Sequence, residues 1–158
     1  NAPALERYRK CVQNLGSHGQ VLAGGRQLEE GGLARGYFCA PTVASAPLDY
    51  RLWREEKFVP IVLVGEVDTV DEAIARANAS EYGLTAGFYG GAGEIDRFLD
   101  GIEAGVTYVN RPQGATTGAW PGFQPFGGWK GSGTTGKAIG SFYYVQQYLR
   151  EQSQTVVD

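Results

Sequence analysis

Residues 61–110 alternate apolar runs with amphipathic segments, and no other feature of the chain limits its fold so tightly. Residues 61–67, IVLVGEV, are nearly continuous in apolar side chains, as a strand buried on both faces should be. Thr69, Val70, Asp71 and Glu72 form a capping box opening a helix with Val70, Ile74 and Ala77 turned inward. Residues 84–89, LTAGFY, read as the next strand. Ile95, Phe98, Leu99 and Ile102 mark a second helix, with Gly105 placed as its C-cap glycine. Residues 106–110, VTYVN, give a third strand. Strand-helix-strand-helix-strand at these lengths predicts an α/β fold in three αβα layers, built on a mostly parallel sheet with right-handed crossovers.

A stretch of different character comes after that third strand. Residues 110–136, NRPQGATTGAWPGFQPFGGWKGSGTTG, are rich in glycine and carry Trp120, Phe123, Phe126 and Trp129 with no helical or alternating pattern. Loops of that length inside a domain are usually functional or disordered, and the aromatics do not suit a disordered tail. Its position at the carboxyl end of a strand is where ligands of such sheets bind. A packed glycine-rich lid without a ligand is the alternative.

Before residue 61, Leu5, Tyr8, Cys11, Val12 and Leu15 recur at helical spacing and Gly16 closes the pattern. His18, the single histidine, falls in the turn GSHG and reads as a solvated turn residue. Residues 20–25 form a short strand, and GYFCAPTV forms another that Pro41 places at an edge or ends. Residues 49–56 are charged, with Trp53 as an anchor. The polar start lacks a capped helix entrance and suggests a piece of something longer. At the other end, residues 149–158 form an extended polar tail that cannot stabilise itself and pairs with another chain. Residues 1–148 form the domain proper.

Composition excludes several classes of function. A net charge of -3 and a pI near 5.2, with no basic block, argue against nucleic acid or an acidic membrane as partner. No apolar run reaches transmembrane length. Two separated cysteines and one histidine cannot assemble a metal centre, and they fit a reducing, cytoplasmic setting better than a disulfide framework. The segment GSGTTGK, residues 131–137, has P-loop spacing but continues with Ala138, so the hydroxyl that would hold Mg²⁺ is missing. Residues 90–93, GGAG, are explained equally well by a tight turn or an anion cradle.

Four segments appear in a telling order: EEKFVP at 55–60, YGL at 82–84, GVTYVN at 105–110 and PFGGWKGSG at 125–133. Together they resemble the carboxyl-terminal motifs of the aldehyde dehydrogenase superfamily, and the resemblance covers nearly the whole chain. TTGAWPGFQPFGGWKGSGT is most similar to the 1-pyrroline-5-carboxylate dehydrogenase group, which oxidises L-glutamate γ-semialdehyde. The resemblance implies NAD as cofactor, with Glu56 accepting from the ribose hydroxyls and Phe58 packing beside the nicotinamide. It implies that the N–H groups of Gly118 and Ala119 hold the substrate α-carboxylate and that Phe126 walls its aliphatic stem. The unsupported tail leads us to expect a homo-oligomer joined through the carboxyl-terminal strand.

Members of that superfamily use a cysteine thiolate that attacks the aldehyde, and neither Cys11 nor Cys39 has the nucleophile's flanking residues. No catalytic residue is therefore assigned, and the chain reads as a carboxyl-terminal part of the catalytic domain that is inactive alone. Two alternatives stand beside it: a non-catalytic ligand- or partner-binding module of the same fold, and a general aldehyde dehydrogenase.

Overall fold

The computed structural model describes residues 1–112, 119, 124–133 and 137–158. Their contacts divide the chain into two compact units, Asn1–Val67 and Asp68–Asp158.

In the first unit, helix α1 (Ala2–His18) buries Leu5, Tyr8, Cys11 and Leu15 along one face, as their spacing predicts. Its entrance is capped after all: the Asn1 side chain accepts from the Ala4 N–H at 3.0 Å. The helix also runs past Gly16, because an interior glycine costs only about 1 kcal/mol against alanine. It ends at Gly19, where a Cβ would collide with the Ser45 carbonyl. His18 is thus the last helical residue rather than part of an open turn. Its ring stacks on Tyr50 with centroids 5.3 Å apart.

Strand β1 (Gln20–Ala23) pairs antiparallel with β2 (Thr42–Ser45), and β2 pairs parallel with β3 (Ile61–Val64). Pro41 therefore stands immediately before the central strand, at a position where its missing N–H costs no ladder bond. Along β3, Ile61 and Leu63 are half-buried whereas Val62 and Val64 are exposed. The apolar run marks a strand able to bury both faces, but this unit covers only one.

In the second unit, Thr69 caps helix α2 (Val70–Asn78) by accepting from the Glu72 N–H at 3.1 Å. A two-residue strand β4 (Tyr82–Gly83) leads into β5 (Thr85–Phe88). Helix α3 (Ala92–Gly101) then returns the chain to β6 (Val106–Val109), which pairs parallel with β5. Phe98, Ile102 and Ala104 form the core, with Ile74, Ala86, Phe88 and Val109 packed against it. Phe88 stacks on Phe98 at 5.0 Å. The pairings are parallel as the alternation predicts, but β3 lies in the ladder of β2 while β5 and β6 form their own.

Gly105 is not a helix cap, since α3 ends four residues earlier. A Cβ there would strike the Gly127 carbonyl, so its glycine serves a close backbone approach. At the end of β6, Asn110 takes φ 48° and its side-chain amide bonds Gly90 twice, accepting from N–H and donating to C=O, each at 3.0 Å. The glycine-aromatic stretch contributes strand β7 (Trp129–Lys130), antiparallel to β4, and a bridge between Phe126 and Ile139. A short 3-10 helix, Val145–Tyr148, precedes a tail without regular structure, in which Val156 and Val157 are almost fully exposed.

Candidate functional site

The described residues expected from the sequence to form the site fall in both units. In the first, a 3-10 turn, Arg51–Trp53, is anchored by the Trp53 indole N–H donating to the Pro47 carbonyl at 2.9 Å. Arg51 then donates to both oxygens of Glu55 at 3.0 Å, and Lys57 pairs with the same carboxylate. Hydrogen bonds from Lys57 and then Arg51 hold the Glu55 carboxyl below the usual glutamate range. The neighbouring Glu56 is exposed and, among the described residues, has no side-chain hydrogen bond or ion pair. Adjacent carboxylates are thus divided: Glu55 is consumed by the turn, and both oxygens of Glu56 can accept from a ligand.

Phe58 comes next but one, with φ 50° and 80% of its surface exposed. A bulky residue in the left-handed region costs of order 1–3 kcal/mol and collects at ligand-facing positions. The chain beyond it is pinned: the Pro60 carbonyl accepts from the Thr42 N–H, and the Val59 carbonyl from the Ile61 N–H.

The second unit carries a half-open cavity of about 850 Å³. Phe126 lines it together with Trp129, Ile139, Tyr143, Tyr144 and Tyr148. The Phe126 N–H donates to the Ile139 carbonyl at 3.2 Å, and the Lys137 ammonium sits 4.7 Å from the Tyr143 ring centre. The cavity's aromatic faces suit an aliphatic stem, and Lys130, Ser132, Lys137, Ser141 and Gln147 line it as well. Ala119 is buried. Gly118 lies outside the described residues. Of the sequence-predicted residues, Glu56 and Phe58 lie in the first unit and Phe126 and Ala119 in the second.

One set of contacts escaped the sequence reading. The Lys130 ammonium donates to the carbonyls of Asn78 at 2.7 Å and Ser80 at 3.2 Å, and pairs with Glu103. Asn78 in turn donates to the Gly101 carbonyl and accepts from the Glu103 N–H. The lysine inside PFGGWKGSG was the only local signal, because its carbonyl partners lie 52 and 50 residues earlier.

Neither cysteine is an activated thiol. Both are free, and burial pushes the thiols of Cys11 and Cys39 up from their ordinary value. Among the described residues no group of acidic, histidine and cysteine side chains could hold a metal ion, and no helix is long and apolar enough to cross a membrane.

The profile of the aldehyde dehydrogenase family matches residues 1–154. This chain belongs to the aldehyde dehydrogenase family. It is 42% identical over 154 residues to 1-pyrroline-5-carboxylate dehydrogenases of Bacillus thuringiensis (strain Al Hakam) and Bacillus cereus (strain B4264). Those matches cover 96% of this chain and 28% of each relative, so the chain spans little more than a quarter of their length. Among solved structures, a 1-pyrroline-5-carboxylate dehydrogenase from Thermus with bound NAD superposes with a TM-score of 0.83 at 36% identity, covering 95% of this chain and 28% of that one. Lactaldehyde dehydrogenase from Escherichia coli gives 0.77 at 32% identity, covering 96% and 30%. The α/β architecture expected from the strand-helix alternation is the one these aldehyde dehydrogenases share.

Proposed function

We propose that this chain forms part of an NAD-dependent aldehyde dehydrogenase that oxidises L-glutamate γ-semialdehyde to glutamate in proline degradation. The observation that carries the reading is the 42% identity over 154 residues to 1-pyrroline-5-carboxylate dehydrogenases. In this reading the cysteine nucleophile and the coenzyme-binding half are supplied by residues outside this chain, which is consistent with the raised thiols of Cys11 and Cys39.

The residues of the first unit fit NAD. Glu56 is an exposed carboxylate with both oxygens unclaimed among the described residues, the acceptor that a ribose diol needs. Phe58 offers an exposed ring on a strained backbone, suited to packing beside a flat heterocycle. When bound, NAD supplies the two-electron acceptor for oxidation of the aldehyde. In the second unit, Phe126 walls the aldehyde's methylene stem, and the N–H groups of Gly118 and Ala119 bind its α-carboxylate. The tail at 149–158 pairs with a second subunit, giving a homo-oligomer in which its exposed valines are covered. Two free thiols suit a cytoplasmic enzyme.

The substrate class is tested by Gly118→Val in the full-length dehydrogenase. Branched carbons where the carboxylate approaches should lower kcat/KM for glutamate semialdehyde roughly ten- to a hundredfold, the worth of charge-assisted bonds. A simple aliphatic aldehyde never uses those bonds and should lose much less. Equal losses with both substrates would make the loop structural and the enzyme a general aldehyde dehydrogenase.

A further inference from the structure

The Gly127–Gly128 pair directly after Phe126 has no stiffness of its own, so apart from the close approach of Gly127 to Gly105 the position of the Phe126 ring depends on what holds the chain on either side. On one side the Phe126 N–H is bonded to the Ile139 carbonyl. On the other side the chain reaches Lys130, a non-glycine residue held at φ 51°.

Lys130 is held there by its side chain. An ammonium has three donors, and three acceptors surround this one: the carbonyls of Asn78 and Ser80 and the carboxylate of Glu103. The Asn78 carbonyl belongs to the last residue of α2, where helical carbonyls lack partners and the dipole favours a cation. Only 24% of the lysine side chain is exposed. The backbone is fixed at the same place, with the Gly131 N–H donating to the Glu81 carbonyl at 2.9 Å and the Gly83 N–H to the Ser132 hydroxyl at 3.2 Å.

We propose that Lys130 is a positioning residue: by tying the PFGGWKGSG segment to the end of α2 it sets where Phe126 stands in the cavity, and so how tightly the aldehyde stem is held. This rests on the proposed role of Phe126 as a wall of the substrate site. An arginine cannot substitute, because a planar fork does not match three acceptors disposed around one nitrogen.

The test is steady-state kinetics of the full-length dehydrogenase carrying Lys130→Met, with Phe126→Ala as the reference. If the ring is displaced, the KM for glutamate semialdehyde should rise about tenfold while kcat and the KM for NAD stay within about twofold. Lys130→Arg should behave like Lys130→Met. Should Lys130→Met fail to fold, Glu103→Gln, which keeps the lysine and its carbonyl bonds, decides: it should raise the aldehyde KM about threefold. A lower kcat with both KM values unchanged reports only less folded enzyme and overturns the proposal. An aldehyde KM unchanged in the lysine or glutamate variant but raised in Phe126→Ala overturns the role of Lys130 alone. If Phe126→Ala itself leaves the aldehyde KM unchanged, the substrate-wall reading fails and the proposal fails with it.

Discussion

The hydroxyl oxygens of Tyr8 and Thr42 lie 2.8 Å apart in the buried centre of the amino-terminal unit. Thr42 also accepts from the Gly25 N–H at 2.9 Å and donates to the Ala40 carbonyl at 3.0 Å. One hydroxyl thus ties α1, the turn after β1 and the start of β2 together.

This geometry makes the two residues unequal. Tyr8→Phe removes one donor and leaves Thr42 with two partners, so it should cost about 1 kcal/mol. Thr42→Val strands the Gly25 N–H and takes one of the partners of the Tyr8 hydroxyl, and should cost about 2 kcal/mol. Urea unfolding of the two variants gives the order directly. A larger loss for Tyr8→Phe would mean that the phenol's bonds to the Ala40 and Arg26 carbonyls carry the junction instead.

Glu56→Gln in the full-length dehydrogenase keeps the side chain's shape and removes its charge. Weaker acceptance from the ribose should cost roughly 1–2 kcal/mol, seen as a higher KM for NAD with little change in the aldehyde response. An unaltered NAD response would return Glu56 to an ordinary surface carboxylate.

Gly105→Ala places a methyl group against the Gly127 carbonyl, and a backbone atom held by its neighbours cannot swing aside. Overpacking of this kind costs about 1–3 kcal/mol. A thermal melt should show the loss. Gly93→Ala in α3, where a Cβ meets nothing, is the matched control and should be neutral or slightly stabilising.

The lowered Glu55 carboxyl gives stability a defined pH dependence. Its folded pKa lies below its unfolded one, so its contribution is complete above the ordinary glutamate range of about 4.3 and is lost as pH falls through the lowered value. Glu72, lowered by its bond from Arg76, acts in the same direction. Stability measured from neutral to acid pH should fall more steeply in the parent than in Glu55→Gln, and the two curves should converge at the acid end. Salt should narrow the gap at neutral pH, since these pairs are exposed. Parallel curves would remove Glu55 from the acid transition.

The range of each interaction decides how much of it the sequence could reveal. The face of α1 and most of that of α3 are legible because helical spacing is local: Tyr8, Leu15, Phe98 and Ile102 are buried where periodicity puts them, whereas Leu99 is exposed. The Thr69 cap was legible for the same reason. Gly105 was misread because a glycine kept for a distant carbonyl looks the same as one kept for a cap. At the candidate site, Glu56 and Phe58 are named by their motif alone, whereas the pairing of Glu55 rather than Glu56 depends on where Arg51 and Lys57 point. Lys130 was invisible as an anchor, since only folding brings Asn78 and Ser80 to it.

Asn110 carries a design consequence. Its backbone turns out of the sheet while its side chain supplies the rung that the next residue of a strand would have made with Gly90. The β5–β6 ladder is therefore finished before the glycine-aromatic segment begins. Changes in the first residues beyond this junction are insulated from the β5–β6 register. A chain that keeps the asparagine and the β4–β7 pairing can vary the residues directly after Asn110 without disturbing the β5–β6 ladder.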